Sequence, residues 1–184
     1  MKEIMTGLYQ DHQHIGRLLT ILQNKLATLE LGSRPNFHLM SEVLDYLEDY
    51  GDGYHHPRED LLFSYIRHHH QDCESLVNQA ANEHQELARL TRALRESVDQ
   101  VLLDAPFSLQ DFCKRLARYI DTQRRHLSFE EQRLFPLIEQ YMSVENWQEF
   151  SDKAPYRHDP LEAENRSRDY QQLANALIED LADG

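Results

Sequence analysis

Two short stretches carry residue types able to do chemistry together. In "YHHPRED", residues 54–60, His55 stands four residues before Glu59; in "RHLSFEE", residues 125–131, His126 stands four residues before Glu130. An i,i+4 pair on a helix points to one face, so each histidine can act with its carboxylate at a single point. Upstream of each lies another histidine. "DHQHIGRLLTIL" (11–22) superimposes without a gap on "EHQELARLTRAL" (83–94), placing His12 on His84, while His55 falls on His126 and Glu59 on Glu130. The chain reads as one helical hairpin used twice, with three polar residues at equivalent points in each half.

Elements that could position these residues follow from the apolar periodicity. Ile4, Leu8, Ile15, Leu18, Leu22, Leu26 and Leu29 recur at helical steps, predicting a first helix over about residues 2–31 that "LGSRP" ends. Three more are expected over about 36–70, 73–103 and 108–142, with Asp72 as N-cap of the third and Ser108 with Asp111 capping the fourth. No stretch alternates as a strand would. Four long helices with short loops predict an all-α, up-down-up-down antiparallel bundle over residues 1–142. Residues 143–184 then hold a short segment with Trp147 and Phe150, a linker, and a last acidic helix over about 161–183 built on Tyr170, Leu173, Leu177 and Leu181. That helix is expected to cap the bundle or to form a homodimer contact.

The spacings bring the polar residues to one height. His12 lies 19 residues before the first turn and His55 19 after it; His84 and His126 lie 19 and 18 residues either side of the last turn. Four imidazoles and two carboxylates at one level in a bundle core need compensating positive charge, because buried unpaired carboxylates cost several kcal/mol. Mixed imidazole and carboxylate donors without thiolate suit iron, manganese or zinc. The set suits two ions: each takes two imidazoles from one hairpin, both carboxylates bridge, a solvent oxygen can bridge as well, and a small ligand has room to bind. Pro57, with Gly51 and Gly53 upstream, predicts a kink or bulge across 51–57. Such a break could instead turn His56 and Asp60 inward. The repeat favours His55 with Glu59, because Asp60 aligns with Glu131, beyond the matching carboxylate.

Composition narrows the function classes. The 184 residues carry a formal charge of −13, which disfavours nucleic acid or an anionic membrane as partner. No apolar run approaches the length of a membrane span. Cys73 and Cys113 form no Cys-x-x-Cys motif, and the N-terminal residues lack an apolar signal core, so a cytoplasmic location is expected. His14, His38 and His158 are expected at the surface, as are Arg17 and Arg89. "HHH" (68–70) suits the C-terminal end of the second helix. Tyr9 and Tyr54 are expected to pack as aromatics.

"DHQHIGRLL", "HHPREDLLF", "EHQELARL" and "HLSFEEQRLFP" together resemble the hemerythrin-like (HHE cation-binding) family, over about residues 5–142. The resemblance implies a four-helix bundle with a non-haem di-iron site and an oxo or hydroxo bridge. Such a site handles dioxygen, nitric oxide or peroxide by sensing, storage or detoxification. The alternative it implies is an iron donor, an iron-centre repair protein or an iron-responsive interaction module without turnover of its own. Carried over residue by residue, the ligands are His12, His55, Glu59, His84, His126 and Glu130. Oxygen-carrying hemerythrins place a fifth histidine one turn after the residue matching His84; this chain has Ala88 there. A set of four His and two Glu is more similar to bacterial di-iron proteins that repair iron centres under nitrosative stress. The ferritin-like Glu-x-x-His arrangement is not the pattern found here.

Overall fold

The computed structural model describes residues 2–154, 159–161, 170, 173, 175 and 176. Among them there are helices and no strands. Helix α1, Lys2–Glu30, forms the first rod. The second rod joins α2, Phe37–Tyr46, through a π-helical segment, Leu47–His55, to α3, His56–His69. Helix α4, Glu74–Leu102, is the third. The fourth joins α5, Leu109–Phe129, through a π-helical segment, Glu130–Leu134, to α6, Phe135–Tyr141. A shorter α7, Val144–Lys153, follows. The first and third rods each pack against the second and fourth, which is the cyclic arrangement of an antiparallel four-helix bundle.

Local sequence explains the rod ends. Gly32 takes φ 77° after α1, where only a residue without Cβ is unstrained, and Ser33 N–H returns to Thr28 C=O at 3.1 Å. Ser108 accepts from Asp111 N–H at the start of α5. Asp72 does not cap α4 as its sequence context suggests. It lies in a 3₁₀ turn, Gln71–Cys73, that leads into the helix, and it accepts a hydrogen bond from Tyr141 Oη at 3.0 Å.

The kink or bulge expected across 51–57 takes the form of a bulge, a π-helical segment that spans Leu47–His55. His55 (φ −61°, ψ −59°) and His56 (φ −59°, ψ −44°) are both helical, and Pro57 enters at the first turn of α3. The π-helical stretch resolves the tension: widening to i→i+5 bonding relieves the clash of the ring with the carbonyl four residues back and needs no N–H from proline. The fourth rod repeats the device, since α6 likewise carries Pro136 in its first turn after a π segment.

The core divides into two apolar clusters. One gathers Ile15, Leu18, Leu22, Tyr50, Leu87, Leu116 and Ile120; the other gathers Met5, Leu8, Leu62, Phe63, Ala80, Leu134 and Phe135. Between these clusters, on every rod, lie His12, His55, Glu59, His84, His126 and Glu130. Trp147 and Phe150 of α7 close the second cluster. Leu161, Tyr170 and Leu173 are buried in the first, and Tyr170 donates to Asp49 at 3.0 Å. The rest of the expected last helix, with Leu177 and Leu181, and also His158, lies outside the described residues.

Leu18 is fully buried whereas Leu31 is 83% exposed. Leu18→Ala should cost about 2–5 kcal/mol in urea unfolding and Leu31→Ala less than about 0.5 kcal/mol. Equal costs would contradict this division of core from surface.

Candidate metal centre

The six residues singled out in the sequence all sit in the layer between the two clusters. Each is buried, from 0% exposed for His55, Glu59 and Glu130 to 5% for His84. Their inner atoms converge. His12 Nε2 lies 3.3 Å from Glu59 Oε1 and 3.4 Å from Glu130 Oε2. His84 Nε2 lies 3.2 Å from Glu130 Oε1 and 3.6 Å from Glu59 Oε2. His55 Nε2 and His126 Nε2 each stand 3.3 Å from the carboxylate four residues on, Glu59 and Glu130 respectively.

A seventh residue joins them. His56, expected only as a neighbour, is 2% exposed, and its ring stacks on His84 at 4.3 Å with an interplanar angle of 11°. Glu59 is at i+4 from His55 and at i+3 from His56, so one helix stripe presents all three. His55 and His56 therefore do not exclude each other.

Each imidazole is held from behind. The Nδ1 atoms of His12, His55, His84 and His126 hydrogen-bond to Glu131 (3.1 Å), Asp11 (3.0 Å), Asp60 (2.9 Å) and Glu83 (3.0 Å). His56 Nδ1 lies 3.1 Å from Asp52 Oδ1. An ionised carboxylate only accepts, so Nδ1 carries the proton and Nε2 is directed to the centre. Four of these acids follow the repeat: Asp11 and Glu83 immediately precede His12 and His84, while Asp60 and Glu131 immediately follow Glu59 and Glu130. That flanking pattern was the available signal for residues that the ligand-centred reading passed over. His14 departs from its expected surface role, since its Nδ1 contacts the buried Asp159 at 2.6 Å. Tyr9 and Tyr54 pack on Phe135 and Tyr50 as expected.

The donor set fits a cation. The Nε2 atoms of His55, His56 and His126 and one oxygen each of Glu59 and Glu130 are buried with no hydrogen-bond partner among the described residues. Orphaned groups of this kind cost about 1–3 kcal/mol each. One ligand atom each from His12, His55 and Glu59 lies within 4.8 Å of the others, as does one each from His56, Glu59, His84 and His126. Two groups sharing Glu59 suit two ions.

Electrostatics point the same way. Burial, and then repulsion from Glu130, raises Glu59 above the usual carboxylate range. Burial opposes the ionised form of Glu130 too, but His126 and the hydrogen bonds from His12 and His84 hold it ionised. Burial would lower His84 and His12. Hydrogen bonds to Asp60 and Glu130 instead lift His84 to about 10, and bonds to Glu130, Glu131 and Glu59 lift His12 well above the imidazole range. Protons on His12 and His84 thus stand where a cation would otherwise balance the carboxylates.

A family model for the hemerythrin HHE cation-binding domain matches residues 4–138. The chain therefore belongs to the hemerythrin HHE cation-binding family, whose domain binds metal cations. No curated protein and no solved structure matches it.

His84 keeps, in the folded chain, a proton that the unfolded chain loses above about 6.5. Its contribution is complete below that pH and is lost as pH rises toward about 10. The urea midpoint of metal-free protein should therefore fall between about pH 7 and 9. With zinc present it should rise, because binding expels these protons and tightens with pH. Parallel slopes with and without zinc would contradict the assignment.

Proposed function

We propose that the chain is a non-haem di-iron protein that handles a small oxidant, namely dioxygen, nitric oxide or peroxide, in sensing, storage or detoxification. The observation that carries this reading is the buried layer of imidazole nitrogens and carboxylate oxygens that lack hydrogen-bond partners among the described residues. The residues to hold the irons are His12, His55, Glu59, His84, His126 and Glu130. Iron in such a set supplies reversible one-electron chemistry and an affinity for diatomic ligands; manganese and zinc satisfy the same donors.

The surroundings restrict what can react. Every proposed ligand is at most 5% exposed, with apolar clusters on both sides. A diatomic molecule or peroxide suits such a site; a bulkier substrate does not. Dry walls also strengthen each charge interaction inside.

A buried hydrogen-bonded chain stands behind His55. Tyr50 Oη donates to Asp11 Oδ1 at 3.0 Å, and Asp11 Oδ2 receives His55 Nδ1 at 3.0 Å. Burial lifts Asp11 to about 7 against the opposing Tyr50 bond. Glu131, Asp60 and Glu83 keep the other rings oriented from more exposed positions. The alternative of an iron donor or iron-responsive module would need a partner surface, for which the acidic C-terminal segment is the candidate, and most of that segment lies outside the described residues.

Ferrous-loaded protein mixed with dioxygen, nitric oxide or peroxide should develop charge-transfer absorption in the near-ultraviolet and visible. A sample that binds iron and stays spectrally silent with all three would overturn the oxidant reading. Asp11→Asn should weaken metal binding about 10–100-fold through the His55 ring; unchanged affinity in equilibrium titration would remove Asp11 from the account.

A further inference from the structure

We propose that His56 is a fifth imidazole ligand of the metal centre, so that three imidazoles serve the ion on the second-hairpin side and two serve the other. This inference rests on the two-ion reading given above and adds a residue and an asymmetry to it. His56 is 2% exposed, and its Nε2 has no hydrogen-bond partner among the described residues. It offers a ligand atom within 4.8 Å of those offered by Glu59, His84 and His126. Its ring is stacked on His84 and stands edge-on to His126 at 5.3 Å, completing a triangle with the two imidazoles of the second hairpin, whose centroids are 4.7 Å apart.

His56 also has an acid behind it, though without the hydrogen bond that holds each of the other four histidines. Asp52, one turn earlier, places Oδ1 3.1 Å from Nδ1. A carboxylate at that position can take the Nδ1 proton as the ring turns Nε2 to a cation, the arrangement that accompanies ligating imidazoles. A purely packing role does not require it. In the second half of the repeat the equivalent residue is Leu127, which is buried in an apolar cluster. The internal symmetry therefore shows what this position looks like when it only packs, and the first half departs from it with a histidine and an acid together.

Backbone geometry lets neighbouring residues serve different ions. The π-helical segment ends at His55 and α3 begins at His56, with Pro57 at its first turn. His55 is grouped with His12 and Glu59, His56 with Glu59, His84 and His126. The two ions would then differ by one imidazole, leaving fewer protein donors on the His12–His55 side.

Zinc is the probe, being diamagnetic and compatible with these donors. In wild-type protein labelled with ¹⁵N-histidine and loaded with zinc, long-range nitrogen–proton spectra should show metal-shifted Nε2 resonances for His12, His55, His56, His84 and His126. A His56 Nε2 resonance unmoved by zinc, beside four shifted ones, would overturn the proposal and leave the two-ion centre standing. Binding of fewer than two zinc ions per chain would overturn both. His56→Leu copies the residue found at the equivalent position. It should keep wild-type helicity and lose roughly tenfold or more in affinity for one zinc while the other is unchanged. Two unchanged affinities would count against the proposal, and if the variant does not fold, the wild-type spectrum decides alone.

Discussion

Two carboxylates, Glu59 and Glu130, are fully buried in the middle of a helical bundle with apolar side chains above and below. Neither can stay ionised there without positive charge close by. Much else in the molecule answers that constraint. Imidazoles surround the pair, His12 and His84 are driven to hold protons against the pull of burial, and outer acids hold the rings of His12, His55, His84 and His126. The arrangement places protons on imidazoles where a cation could balance the same carboxylates.

The outer acids also tie the bundle together. Asp11 to His55 and Glu83 to His126 join the two rods within each hairpin. Asp60 to His84 and Glu131 to His12 cross between hairpins. The same four links relate the halves by the repeat, so the centre has an approximate twofold logic. Its clearest violation is His56 with Asp52. The π-helical segments belong to this logic as well, since both proline-bearing rods widen beside their His-x-x-x-Glu pair and continue without a break.

Much of this was legible in the sequence. Helical periodicity, the paucity of glycine and the two-hairpin repeat led to the bundle and its common polar height. Carrying His12, His55, Glu59, His84, His126 and Glu130 together needed only the spacing of helices. His56 was harder. The reading treated His55 and His56 as rivals, because consecutive residues on an ideal α-helix face different ways. Glu59, however, neighbours both at i+3 and i+4, and the two donor groups that share it include one histidine each. Pro57 with Gly51 and Gly53 announces a local irregularity; that it is a π-helical turn beginning as early as Leu47 is announced by no periodicity in the sequence. Asp72 looked like a cap by residue type alone, whereas a 3₁₀ turn and Tyr141 use it.

The account's central claim is that the buried layer is a two-cation centre and not a self-sufficient network of ion pairs. Crystals of protein produced with iron, measured on both sides of the iron absorption edge, test it most directly. Two anomalous peaks about 3–4 Å apart, between Glu59 and Glu130, are the predicted result. A layer without such peaks, in which His12 and His84 remain hydrogen-bonded to the two carboxylates, would contradict it.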